Sequence, residues 1–105
     1  MIRHTVLLRI HKDVTDEHVK DIFAGLSALK GQIAGILAVS WGADCSPEGL
    51  QKGFTHGFTV DFADATARDA YLPHPAHQKV GAMIVAACDG GVDGILVLDW
   101  EMVRG

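Results

Sequence analysis

Little in this chain of 105 residues suggests crosslinks, membranes or nucleic acid. It has only two cysteines, Cys45 and Cys88, far apart and in no C-x-x-C arrangement. That excludes a disulfide framework or a zinc ribbon, and two free thiols in a cytoplasmic protein are expected. Long apolar runs are missing. The longest near the C-terminal end is Met83–Cys88, whereas a membrane-spanning helix needs roughly 20 apolar residues. The opening MIRHTVLLRIHKD has neither a long apolar segment nor a small-residue cleavage site, so no signal peptide is expected. Positive charge is in deficit, with Lys+Arg 9 against Asp+Glu 13 and a net charge of −4. Without basic blocks, nucleic acid is not the expected partner. Repeats, linkers and low-complexity tracts are absent as well.

What remains is an ordinary globular balance, 49% hydrophobic and 21% charged. It suits one domain spanning residues 1–105. So small a domain buries a modest share of its surface, and self-association would add stability. The unusual count is six histidines. In so short a chain, some of them are expected in the interior.

The first segment alternates. Ile2, His4, Val6, Leu8 and Ile10 fall on one face of a strand, with Arg3, Thr5, Arg9 and His11 mostly on the other. From 15 to 33 the period becomes helical. Val19, Ile22, Phe23, Leu26, Leu29 and Ile33 form one stripe, and Thr15 is placed to cap it. A second strand is predicted from Gly35 to about Cys45, then a turn at Ser46-Pro47-Glu48-Gly49. A third runs from Phe54 to Phe62, with Phe54, His56, Phe58, Val60 and Phe62 inward. Asp64 caps a short helix ending at Tyr71. Leu72-Pro73-His74-Pro75 breaks it, and Pro75 starts a new helix with Val80, Met83, Ile84 and Ala87 inward. Residues 94–100 form the last strand.

The order βαββααβ implies an α+β, ferredoxin-like protomer with a four-stranded antiparallel sheet and its helices on one face. In that topology the last strand lies at an edge. Ile95 and Val97 face one side, and Leu96, Leu98 and Trp100 the other, so the edge is apolar on both faces. The least demanding cover is a second copy of the chain, and a homodimer joined through helix-free sheet faces is predicted. Trp41 and Trp100 are expected at the sheet or the seam. Gly57 permits either close approach across that seam or a bulge.

His4 and His56 both interrupt inward strand faces on strands expected to be neighbours. One such histidine is ordinarily a satisfied core residue; two each need a buried partner. His74 is expected to cap the helix that starts at Pro75, and His77 to look inward from its first turn. A helix N-terminus and burial both favour the neutral imidazole, the form that accepts a proton. Tyr71 and His77 flank the elbow and could meet over one pocket, or the segment could be a helix break whose polar groups only tie down backbone. His74-x-x-His77 also has the spacing of a metal pair, but a proline intervenes and no third ligand is evident, so no metal and no cofactor is expected. Asp99 is either a strand-end carboxylate in water or the group that orients an imidazole. His11 and His18 lie on polar faces.

The segments IRHTVLLRI, GFTHGFTVDFADATARDAYLPHPAHQKV and LVLDWE resemble the stress-responsive dimeric α/β-barrel family, Dabb, over nearly the whole chain. The resemblance implies a protomer that pairs into an eight-stranded α/β barrel. Most such proteins have no established activity, but one branch cyclises olivetol-type tetraketides. Its catalytic tyrosine and histidine match Tyr71 and His77, its pocket histidines match His4 and His56, and its aspartate matches Asp99. The implied chemistry is cyclase- or lyase-like: His77 removes a proton alpha to a carbonyl, Tyr71 hydrogen-bonds the enolate and Asp99 orients His77. Val6, Leu8, Phe23 and Phe58 are expected to complete a site for a small carbonyl or phenolic ligand. The competing expectation is a non-catalytic stress-response or structural dimer. A monooxygenase of the same architecture ranks lowest, because the resemblance there omits the H-P-A-H segment.

Overall fold

In the computed structural model, which describes residues 1–105, four strands and three helices alternate along the chain. They are β1 (Ile2–Leu8), α1 (Asp16–Ala28), β2 (Ile36–Ala43), β3 (His56–Phe62), α2 (Ala65–Tyr71), α3 (Pro75–Ala87) and β4 (Ile95–Glu101). The strands form one antiparallel sheet in the order β2-β3-β1-β4. β1 is central, and β4 lies at an edge as the topology required.

The register settles which side chains share a face. His4 lies opposite Val60 on β3 and Asp99 on β4; Leu8 lies opposite His56 and Ile95. Ile2, His4, Val6 and Leu8 therefore point the same way as His56, Phe58, Val60 and Phe62. The helices cover this face. α1 buries Val19, Ile22, Phe23 and Leu26 against it, and α3 buries Val80, Ile84 and Ala87. Each helix starts where a side chain satisfies a free backbone N–H. Thr15 accepts from His18, Asp64 from Ala67 and His74 from Ala76.

Several boundaries differ from the sequence reading. α1 stops at Ala28 and tightens into a 3₁₀ turn, Leu29–Gly31, that still buries Leu29. β1 ends at Leu8, and Ile10 instead makes an isolated bridge to Cys88. Phe54 lies outside β3, where its ring carries the Arg9 guanidinium at 4.4 Å. Alternation alone cannot report where a ladder loses its partner strand. Trp41 is on the helix side, stacked on Phe23 at 4.7 Å with planes 5° apart, and donates to Ser27 Oγ at 3.2 Å. Trp100 lies on the opposite face, opposite Arg3 in the register. The sheet's one irregularity falls in β2 between Ile36 and Ala38, so the bulge alternative for Gly57 is excluded. Gly57 pairs in register, and a Cβ there would meet Leu7 Cδ2 at 3.1 Å and Val6 O at 3.3 Å.

The helix-free face is mixed. Arg3 holds Asp61 through two hydrogen bonds, 2.8 and 2.9 Å, while Leu96, Leu98 and Trp100 stand exposed on β4.

Gly35 is the tightest backbone approach near the site. It has φ +90°, and a Cβ would come 2.5 Å from the Ala67 Cβ on α2. Gly35→Ala is expected to destabilise the fold by about 2 kcal/mol or more, from a disfavoured dihedral and overpacking together. An unchanged denaturant midpoint would contradict this seat for α2.

Candidate functional site

The site grows from the elbow between α2 and α3. Tyr71 ends α2, and the His74 N–H bonds back to the Tyr71 carbonyl at 3.1 Å. Pro75 has no N–H to lose at the first helical position, and the His74 ring accepts from the Ala76 N–H at 3.1 Å. That capping bond occupies the His74 Nδ1. His77 Nδ1 lies 2.8 Å from the Leu72 carbonyl. A carbonyl only accepts, so Nδ1 carries the proton and Nε2 is the basic nitrogen of the neutral ring. A Cβ on Gly81, one turn further on, would lie 4.0 Å from that Nε2, so nothing larger crowds it from its own helix.

Tyr71 is fully buried, and its hydroxyl has no hydrogen-bond partner. Its ring lies 4.2 Å from that of His77, 4.9 Å from Phe62 and 6.0 Å from His4. Burial pushes its pKa well above that of an ordinary phenol. The hydroxyl thus stays protonated at physiological pH and can only donate to an anion, not act as a base. Burial also lowers the His77 pKa, which the Leu72 carbonyl opposes and nearby His4 and His74 reinforce.

His4 completes the group from the sheet side, at 5% exposure. Its Nδ1 lies 2.7 Å from Asp99 Oδ1. An ionised carboxylate only accepts, so Nδ1–H donates and Nε2 is left free. The other oxygen of Asp99 accepts from Arg68 Nη1 at 3.1 Å. Asp99 is therefore not the group that orients His77, as the sequence had suggested. β4 pairs it directly with His4 across the ladder, whereas His77 is held by backbone. Arg68 went unnoticed in the sequence. Its signal was its place three residues before Tyr71, on the same helical face.

The structure brings His4, Tyr71, His77 and Asp99 together, but not His56. His56 lies opposite Leu8, four residues along β1 from His4, or roughly 13 Å. Its Nδ1 is 2.8 Å from Thr55 Oγ1 and its ring 6.2 Å from Phe23; burial lowers its pKa, opposed by Asp16. Alternation placed both histidines on one face but could not say how far apart. Val6, Leu8, Phe23 and Phe58 are packed in the core and back the site without lining an opening at His77. Two depressions lie elsewhere. One of about 560 Å³ sits over β2 and β3, bordered by Leu7, Ser40, Gly42, His56 and Phe58. One of about 230 Å³ lies between α1 and α3, beside Leu29, Ala76 and Val80. No cluster of three or more His, Cys, Asp or Glu side chains is placed to hold a metal.

A four-stranded antiparallel sheet with its helices on one face defines a ferredoxin-like α+β protomer. The chain belongs to the Stress responsive A/B Barrel Domain family, Dabb, which it matches over residues 2–102. It is 30% identical over 100 residues to stress-response A/B barrel domain-containing protein HS1 of Arabidopsis thaliana, covering 95% of this chain and 88% of that one. A dimeric ferredoxin-like protein of unknown function from Jannaschia sp. CCS1 is similar with a TM-score of 0.88 and 34% identity, over 96% of this chain and 98% of that one. Hydroxynitrile lyase from Passiflora edulis gives a TM-score of 0.87 at 22% identity, over 99% and 94% of the two chains. At that identity the likeness concerns the fold alone. No helix is long and apolar enough to cross a membrane.

His56 and His77 both titrate below the ordinary histidine value in the folded chain. The unfolded chain therefore takes up these protons first as pH falls. Their stabilising contribution is complete above about pH 6.5 and is lost as pH drops through that value towards the folded ones. Denaturation midpoints should decline on the acid side of neutrality, and His77→Gln should flatten part of that decline. An identical acid limb in the variant would contradict burial of a neutral His77.

Proposed function

We propose that this is a small-molecule-binding Dabb homodimer with a general acid/base site acting on a proton alpha to a carbonyl. The observation that carries this reading is the Tyr71 hydroxyl, sealed from water, unpartnered and beside His77. A buried hydroxyl without a partner is costly and suggests a missing acceptor. In the proposed step, His77 Nε2 takes the alpha proton, the C–H electrons form the enolate C=C bond as the carbonyl π electrons move onto oxygen, and Tyr71 donates a hydrogen bond to that oxygen. The proton returns from His77 when the enolate collapses. Asp99 serves through His4, holding that ring beside the phenol. The ligand class is a small carbonyl or phenolic compound.

The dimer belongs to the same proposal. Leu96, Leu98 and Trp100 are exposed on one face of β4, and the Jannaschia relative is dimeric. Two helix-free faces packed together would form an eight-stranded barrel. The setting we propose is cytoplasmic, with Cys45 and Cys88 reduced. A non-catalytic dimer is the second reading. It is favoured by the protein partners already held by His4, His56 and His77, and by depressions that lie away from His77.

Exchange of alpha protons in a β-keto ester, followed by NMR in heavy water, separates the two. The acid/base reading expects exchange above buffer background, reduced roughly a hundred- to ten-thousand-fold in His77→Ala. Tyr71→Phe should also slow it, and the rate should fall at acid pH as His77 protonates. No exchange by the wild type, or unchanged exchange in His77→Ala, leaves the non-catalytic reading. Leu98→Glu should shift the protein to monomer in sedimentation analysis; an intact dimer would place the seam elsewhere.

A further inference from the structure

We propose that Arg68 is a positioning residue of this site: its guanidinium fixes Asp99, and Asp99 in turn fixes the His4 imidazole beside Tyr71. The inference rests on the acid/base reading only for its effect on turnover; its geometric part concerns the ligand-free protein.

One carboxylate is divided between two donors. Asp99 Oδ1 takes the His4 Nδ1–H at 2.7 Å, and Oδ2 takes Arg68 Nη1 at 3.1 Å. Asp99 sits on the edge strand β4, on the face it shares with Val97, which is 55% exposed. A same-face neighbour so open gives the Asp99 rotamer little support along the strand. Arg68 is the other polar group that grips it. The arginine is held in turn, because its Nε donates to Asp69 Oδ1 at 3.0 Å. A planar guanidinium fastened at one nitrogen presents the next in a set direction, which a flexible ammonium would not.

The placement on α2 matters as much as the contact. Arg68 lies one turn before Tyr71, so one short helix supplies the phenol and, through Arg68, the orientation of the ring facing it. His4 is 5% exposed, and the only hydrogen bond its ring makes is the one to Asp99. Releasing the carboxylate would free the imidazole to turn about its χ2 bond and would move Nε2 relative to Tyr71 and His77. An exposed ion pair that merely stapled α2 to β4 would have no such consequence.

The test uses the intact protein labelled with ¹⁵N-histidine. In the wild type, His4 should show a protonated Nδ1 whose proton exchanges slowly with water. In Arg68→Met that exchange should be about tenfold faster or more, as expected when a charge-assisted contact to Asp99 is lost. Arg68→Lys should fall between, because it keeps the charge without the fork. A wild-type His4 signal in folded Arg68→Met overturns the proposal, as does a lower melting temperature with that signal unchanged. If Arg68→Met does not fold, folded Arg68→Lys decides: faster exchange supports the proposal, and wild-type exchange overturns it. In the β-keto ester assay, Arg68→Met should lower kcat and leave KM nearly unchanged. A wild type without turnover overturns the acid/base reading, while the His4 signal still decides Arg68 independently.

Discussion

β1 is hydrogen-bonded along both of its edges, and that double register governs the sheet side of the site. His4 cannot shift without moving against Val60 on one side and Asp99 on the other. A slip of one residue would turn His4, Val6 and Leu8 to the helix-free face and expose the core. Because the apolar face must be buried, the register is held by the whole core, and the His4–Asp99 contact comes with it. The backbone position from which the imidazole projects is thus set by the same force that folds the domain.

The α2–α3 elbow brings the opposing half of the site to that fixed platform. Pro73 and Pro75 prevent one continuous helix, and Leu72 is left with a carbonyl free to accept from His77 and Gln78. Tyr71 is carried inward at the same break, against Phe62 and His77. Gly35 lets α2 approach closely enough, since any side chain there would collide with Ala67. The result places a phenol that stays protonated beside an imidazole that stays neutral, and burial drives both.

Much of this was legible in advance. The alternation of β1 and β3, the stripe of α1, the caps at Thr15, Asp64 and His74, and the proline break all act over a few residues. Local patterns therefore reported them. So did the apolar edge of β4, and residues 71–77 carried the family resemblance. What failed depended on distance. His56 shares a face with His4 but lies at the far end of the strand. Asp99 serves His4 and not His77, because the strand order sets β4 beside β1. Trp41 does pack at the sheet, one of the two places expected, and β2's register with the irregularity near Ala38 puts it on the helix side.

The sequence by itself determined the elements, their order, the sheet's two faces and the residue types available for acid/base chemistry. Those follow from periodicity and backbone preferences, which need no knowledge of distant neighbours. Only the tertiary structure decided which imidazole receives the carboxylate, that Arg68 takes the other oxygen, and that the Tyr71 hydroxyl is buried without a partner. These depend on residues nearly a whole chain apart, such as His4 and Asp99, being brought within hydrogen-bonding reach. Contacts of that kind exist only after the sheet has closed around β1.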